Sequence, residues 1–222
     1  GKDSALALYK ALQCEELEII ALLTTINKQN QRATMHAIPV SLVQKQADSI
    51  GIPLYIVDLM SNGTIEDYGD AMTKAITHFK EQGVTHFIFG DIFLHDVKSY
   101  REKHLTPLGI TVVEPLWGKS SKEIMKDFIQ SGLKTIIVTT MANILDETFI
   151  GRHIDKKLLK DYPEEADICG ENGEYHTFCY DGGMFRYPVP YSLGESFAKT
   201  YTYKMDDGTE KEYSYWFANL NE

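Results

Sequence analysis

Apolar positions along the chain fall into two alternating patterns. Short unbroken runs at 17–25, 52–57, 84–89, 110–113 and 135–138 read as strands covered on both faces. Between them apolar residues recur every three or four positions, as helices require. Ala5, Leu6, Leu8, Tyr9 and Leu12 mark the first helix, with Asp3 or Ser4 as its cap. Val40, Val43, Ala47 and Ile50 mark the second, which stops at Gly51. The third, Thr64 to Gln82, carries Ile65, Tyr68, Met72, Ile76 and Phe79 on one stripe and ends at Gly83. A fourth covers 97–105. In the fifth, Ser120 with Glu123 forms a capping-box pattern ahead of Ile124, Met125, Phe128 and Ile129, and Gly132 closes it.

Strands and helices thus alternate at intervals of roughly 25–35 residues, the rhythm of βαβ units. The fold class that follows is α/β: a doubly wound, mostly parallel, Rossmann-like sheet covered on both faces. Right-handed crossovers bring the strand C-termini to one edge, where ligands bind. Gly1–Ser4, Thr24-Thr25 and Gly90-Asp91 all fall on that edge. Near Leu145 the rhythm breaks. Residues 152–159 read as a short helix, 170–174 as a dense turn and 175–180 as a strand. Residues 199–217 read as a hairpin about Asp206-Asp207-Gly208, with Tyr201, Tyr203, Tyr213 and Tyr215 at alternate positions. The chain divides into an α/β domain at 1–142 and a smaller β-rich region at 143–222, expected to pack on the ligand edge.

With 222 residues the chain can bury a substantial core. No apolar run approaches the roughly 18 residues of a membrane span, so no membrane partner is expected. The formal charge of −10 argues against broad nucleic-acid binding, which needs a basic face. Cys14, Cys169 and Cys179 lack metal-like spacing and read as reduced thiols of a cytoplasmic protein. His95, His104 and His153 show no coherent metal spacing either.

The candidate chemistry begins at residue 1. Gly1, Lys2, Asp3 and Ser4 stand where a helix starts, and the opening N–H groups of a helix bind anions, phosphate above all. Lys2 adds a full charge, and Gly1 lets the backbone approach a ligand closely. The common nucleotide loop has Ser or Thr directly after Gly-Lys; here Asp3 intervenes. Gly-Lys-Asp-Ser instead resembles the end of the Ser-Gly-Gly-x-Asp-Ser loop of the PP-loop ATP pyrophosphatase superfamily, which grips the pyrophosphate half of ATP while the α-phosphorus is attacked. Such a loop hangs from a strand, so a short apolar strand is expected upstream of Gly1. The reading needs Lys2 open at the edge where the strands end. A buried Lys2 would remove its chemical basis.

Three later stretches make the resemblance specific: Glu114-Pro115-Leu116-Trp117-Gly118, Ile150-Gly151-Arg152-His153-Ile154-Asp155, and Cys169 to Phe178. In this order they resemble the diphthine–ammonia ligase family, over residues 1 to about 190. The fold this implies is that of the adenine nucleotide alpha hydrolases. The activity it implies starts with a carboxylate attacking the α-phosphorus of ATP. Pyrophosphate leaves, and ammonia or an amine then takes the acyl group from the adenylate, with Mg2+ as the divalent cation. The family's best-known acceptor is diphthine, a modified histidine of elongation factor 2. Gly90 to Asp96 and the Met35-His36-Ala37-Ile38-Pro39 entry look like a bacterial branch, and bacteria lack diphthamide. The implied acceptor is therefore a small-molecule or protein-borne carboxylate left open here, with a homodimer compatible.

Within the resemblance, Gly1, Lys2, Asp3 and Ser4 take the ATP phosphates; Asp3 orients the loop, helps hold magnesium or is a plain helix charge. Thr24 and Thr25 border the adenosine or serve as β-formers. Asp91, after Gly90, meets magnesium or substrate, or caps the next helix. Glu171, Glu174 and His176, with Gly170 and Asn172, bind an amine or ammonium or take its proton; the alternative is a solvated acidic turn. Arg152 pairs with a substrate carboxylate or phosphate, or with a surface acid. Trp117 reads as a core or pocket-wall residue rather than a catalytic one. Cys169 has no base placed beside it and is not read as a nucleophile. The rival to a ligase is an adenine-nucleotide-binding sensor without turnover. A sulfur-transferring tRNA-modifying enzyme is disfavoured by the acidic balance and by the lack of paired cysteines.

Overall fold

The structure, a computed structural model, describes all residues except 35–36, 61–64 and 205–208, together with the side chains of 65, 66, 203 and 204. Its elements run α1 (Lys2–Ala11), β1 (Leu22–Asn27), β2 (Arg32–Ala33), α2 (Val40–Ile50), β3 (Leu54–Leu59), α3 (Ile65–Glu81), β4 (His86–Ile88), α4 (His95–Leu105), β5 (Thr111–Val113), α5 (Ser121–Ser131), β6 (Lys134–Met141), α6 (Lys156–Asp161), β7 (Tyr175–Asp181), β8 (Ser192–Leu193), β9 (Phe197–Lys204), β10 (Glu210–Phe217) and β11 (Leu220–Asn221). The α/β order up to β6 follows the apolar pattern. The first strand starts later than expected, at Leu22 rather than Leu17. Thr64, the Met35-His36 pair and the Asp206-Asp207-Gly208 turn lie outside the described residues.

Parallel pairing joins β1 to β3 and β4 to β5. The antiparallel β2 borders β1, and β8 pairs with β11. The larger antiparallel sheet runs β7-β6-β10-β9. The buried strand expected at 135–138 is β6, which is antiparallel to both β7 and β10; its apolar run left that direction open. The reason is burial. Ile137 enters the cluster of Leu6, Ala7, Ile124, Met125, Phe128 and Tyr175, while Ile136 and Val138 enter that of Leu42, Phe178 and Leu220. A strand covered on both faces is apolar throughout, whichever way its neighbours run. The expected hairpin is the β9–β10 pair, with Tyr213 opposite Tyr201 and Phe217 opposite Phe197.

Local signals explain the helix ends. Ser120 and Glu123 make the reciprocal capping box of α5, and Gly132 closes it in the left-handed region. Asp155 caps α6, accepting from the N–H groups of Lys157 and Leu158 at 2.9 and 2.8 Å. On α3, Met72 and Ile76 pack with Leu105 and Ile110 in a third cluster. α1 departs from expectation: it starts at Lys2 with Gly1 as its cap residue and no capping side chain, so Asp3 and Ser4 lie inside the first turn. No described helix is long and apolar enough to cross a membrane.

Candidate active site

Four segments meet at the start of α1. The backbone N–H of Lys2 donates to the Thr177 hydroxyl on β7 at 2.7 Å. From the other side comes Gly90, just past β4. A Cβ built on it would lie 2.6 Å from the Asp3 carbonyl carbon and 2.7 Å from the Ser4 nitrogen. Only a residue without a side chain lets these two backbones touch. The next residue but one, Ile92, donates its N–H to Glu171 Oε1 at 2.8 Å. Ile92 also accepts from the N–H of Gly118, at 3.0 Å, at the end of the Glu114–Gly118 stretch. Helix start, strand end and acidic turn therefore form one assembly.

Lys2 is the main correction. Its side chain is 2% exposed, with the ammonium 2.6 Å from Asp3 Oδ1 and 5.3 Å from the centre of the Tyr175 ring. Burial disfavours its charge, yet Asp3, with Cys169 and Glu171 nearby, leaves the Lys2 pKa raised. The sequence asked for an ammonium open to an anion; the fold closes the acidic turn and Tyr175 over it. Ser4, by contrast, is exposed. The N–H groups of Asp3 and Ser4 belong to the first turn, where the helix itself supplies no acceptor.

The turn that covers Lys2 is tied together by its own side chains. Asp167 accepts from the Glu171 N–H at 2.9 Å, and its own N–H donates to Glu174 Oε1 at 3.0 Å. Asn172 Nδ2 donates to the same oxygen at 3.2 Å. Gly170 takes a positive φ of 68°, with the Tyr175 ring 2.8 Å from where a Cβ would be. Tyr175 anchors the loop by donating to the Ile168 carbonyl at 2.7 Å. Glu174 is 3% exposed, and its Oε2 has no partner among the described residues. Burial raises the Glu171 pKa, opposed by the Ile92 N–H. Asp167 and Thr177 escaped the sequence reading. The alternation of β7 was the available signal for Thr177, which shares a face with Tyr175.

The remaining predicted residues have partners of their own. His176 alternates with Tyr175 and Thr177 along β7; burial first, then the charges of the amino end and Lys2, lower its pKa to about 4. Arg152 holds Asp161 Oδ2 at 2.7 Å and lies over Phe149, 4.9 Å from its centre. Asp91 does not cap α4, whose cap residue is Leu94. It is held by the Arg101 guanidinium, with Nη2 to Oδ1 at 3.1 Å, and Arg101 stacks 4.0 Å over Phe89. Thr25 bonds Thr34 at 2.6 Å. Thr24 and Thr25 lie in the β2-β1-β3 sheet, which shares no strand with the sheet of β6 and β7. Cys169 is buried against the Ser121 carbonyl, and its thiol is pushed up to about 12 by that burial, as an inert side chain would be.

Among the described residues, no three His, Cys, Asp or Glu side chains gather to hold a metal. Asp3 and Asp91 each already face a cation, so the magnesium implied by the resemblance finds no ready donor set in them.

Comparison with known proteins agrees with this layout. The diphthamide synthase N-terminal domain profile matches residues 1–112, and the diphthamide synthase C-terminal domain profile matches residues 120–204. The diphthine–ammonia ligase of Bos taurus is 24% identical over 214 residues, which cover 84% of this chain and 78% of that protein. That of Mus musculus is 22% identical over 226 residues, covering 88% and 81%. That of Schizosaccharomyces pombe is 31% identical over 83 residues, 36% of this chain and 14% of its own. With the two profiles together spanning most of its length, the chain belongs to the diphthamide synthase family.

Proposed function

We propose that this chain is an ATP-dependent amide-forming ligase that adenylates a carboxylate and passes the acyl group to ammonia or an amine. The observation that carries it is the contact of Gly90 with Asp3 and Ser4, beside the Ile92–Glu171 hydrogen bond. It supports a reading in which a helix start, an exposed hydroxyl and a carboxylate of raised pKa act together. ATP would supply the adenylyl group that activates the carboxylate, with pyrophosphate leaving in that step and AMP leaving when the amine takes the acyl group. The buried Lys2 is withdrawn from phosphate binding; the amides of Asp3 and Ser4 and the Ser4 hydroxyl receive the phosphates instead, as helix starts do. Glu171 takes the proton that ammonium or the attacking amine must lose; its raised pKa brings it closer to that task at neutral pH. Glu174, fixed through Asp167 and Asn172, holds the turn in shape. The paired Lys2–Asp3 charges stiffen the cradle from below. Arg152, His176, Thr24 and Thr25 have no part in this proposal, and no step is routed through magnesium. The acceptor carboxylate stays open: the relatives are named for diphthine, and the chain's own residues do not single it out.

Burial of Lys2 favours a second reading, an adenine-nucleotide sensor, because an ammonium held by Asp3 gives little to a departing phosphate. The two separate in one assay. The protein is incubated with ATP, magnesium and ammonium across a panel of carboxylic acids, and AMP and pyrophosphate are measured. AMP that appears only with a particular acid supports the ligase. Tight ATP binding with no AMP under any condition leaves the sensor.

A further inference from the structure

Glu114, directly after β5, lies outside the assembly assigned above. Its side chain is 2% exposed. Oε2 accepts from the Lys98 ammonium at 2.5 Å, while Oε1 has no partner among the described residues. The same ammonium sits 4.5 Å over the Trp117 ring, and His95 meets that ring edge-on at 5.1 Å. Glu102 Oε1 is 3.7 Å from Lys98 Nζ. Two carboxylates therefore surround one ammonium, and one buried carboxylate oxygen is left without a donor. Carboxylate plus indole face is the chemistry that recognises a small cation carrying N–H groups. A tethered lysine satisfies one oxygen of Glu114; a free ammonium, with four N–H groups, can bridge both. The box adjoins the proposed site through a single residue, since Gly118 donates to Ile92 and Ile92 donates to Glu171.

We propose that the Glu114–Trp117 box receives the nitrogen donor, an ammonium ion or primary ammonium group, and that Lys98 is its resident stand-in. The incoming cation displaces the Lys98 ammonium, which is 27% exposed and free to turn outward to solvent. Charge is conserved in the exchange. The orphaned oxygen gains its donor, and the amine is held by the stretch whose Gly118 is linked through Ile92 to the base Glu171. The inference rests on the ligase reading and names where that ligase holds its second substrate.

The test follows Trp117 fluorescence in the full chain carrying Trp216→Phe, titrated with ammonium, methylammonium or potassium chloride at constant ionic strength. A saturable response to ammonium and methylammonium, absent with potassium, is expected. Glu114→Gln should abolish it. Lys98→Met should lower the half-saturating ammonium concentration several-fold, because the internal competitor is gone. No saturable response, an equal response to potassium, or unchanged or weaker binding in Lys98→Met would each overturn the inference. If Glu114→Gln does not fold by thermal melting, Lys98→Met and the parent decide. Lack of AMP release sinks the ligase reading and leaves this binding result standing. A working ligase whose KM for ammonium ignores Lys98→Met sinks the box alone.

Discussion

Gly90 and Asp3 touch backbone to backbone: a Cβ on Gly90 would stand 2.6 Å from the Asp3 carbonyl carbon and 2.9 Å from its oxygen. A strand end and a helix start cannot both keep their places if that atom is added. Gly90→Ala is therefore expected to cost about 1–3 kcal/mol, the range of overpacking. It should also weaken ATP binding by roughly tenfold or more, about 1.4 kcal/mol, by tilting the first turn of α1. Calorimetric titration with ATP and a thermal melt read the two effects. Gly69, within α3, has nothing within 4 Å of its missing Cβ. Gly69→Ala is the control, expected to gain roughly 0.5–1 kcal/mol from helix propensity.

The Lys2–Asp3 pair should behave as a buried ion pair with one shielded and one half-open partner, at 2% and 29% exposure. Removing Lys2 alone, as Lys2→Met, strands Asp3 beside Tyr175 and Glu171 and is expected to cost about 3–5 kcal/mol. Adding Asp3→Asn should return at least about 1 kcal/mol of that, a coupling typical of contacting residues. Urea unfolding of the two single variants and the double variant measures it. Strict additivity would mean that the pair does not hold the cradle.

Glu171 combines two duties that substitution can separate. Gln at 171 keeps an oxygen for the Ile92 N–H but carries no charge, so the fold and ATP binding should survive. Amide formation should fall by about 10²–10⁴, as when a general base is lost. Ala at 171 also leaves the Ile92 N–H without its acceptor and should add about 1–3 kcal/mol of destabilisation. A Glu171→Gln protein with undiminished amide formation would assign the proton transfer elsewhere.

Much of this architecture was legible because the local signals were strong. The α5 box at Ser120 and Glu123, the stop at Gly132 and the β9–β10 hairpin all rest on chemistry confined to a few neighbouring residues. The meeting of Gly1–Ser4 with Gly90 could be read from topology, which set Thr24-Thr25 and Asp91 on the same edge. The environment of Lys2 could not, because burial by Tyr175 and a turn some 170 positions away is a tertiary fact. Asp91 shows the same limit. A carboxylate at a strand end suggests a ligand, but Arg101, in the second turn of α4, claims it. The direction of β6 was hidden for a simpler reason, since clusters on both faces erase the alternation that would have marked it.

His176 sets how the fold responds to acid. Burial lowers its pKa to about 4 from an ordinary value near 6.5, so the folded chain holds the ring neutral while the unfolded chain protonates it. Between those two pH values the unfolded state binds more protons, and stability falls as pH falls. The contribution is fully present above about pH 6.5 and is lost on the way down to about pH 4. Its ceiling is roughly 3 kcal/mol, at about 1.4 kcal/mol per pH unit. Glu171, a carboxylate of raised pKa, works in the opposite sense: its contribution declines as pH rises from the ordinary carboxylate value towards its own. Urea unfolding between pH 7 and pH 4 should show a loss of stability that His176→Gln flattens and Glu171→Gln steepens. An unchanged slope in His176→Gln would mean that the ring is not the group that carries the acid sensitivity.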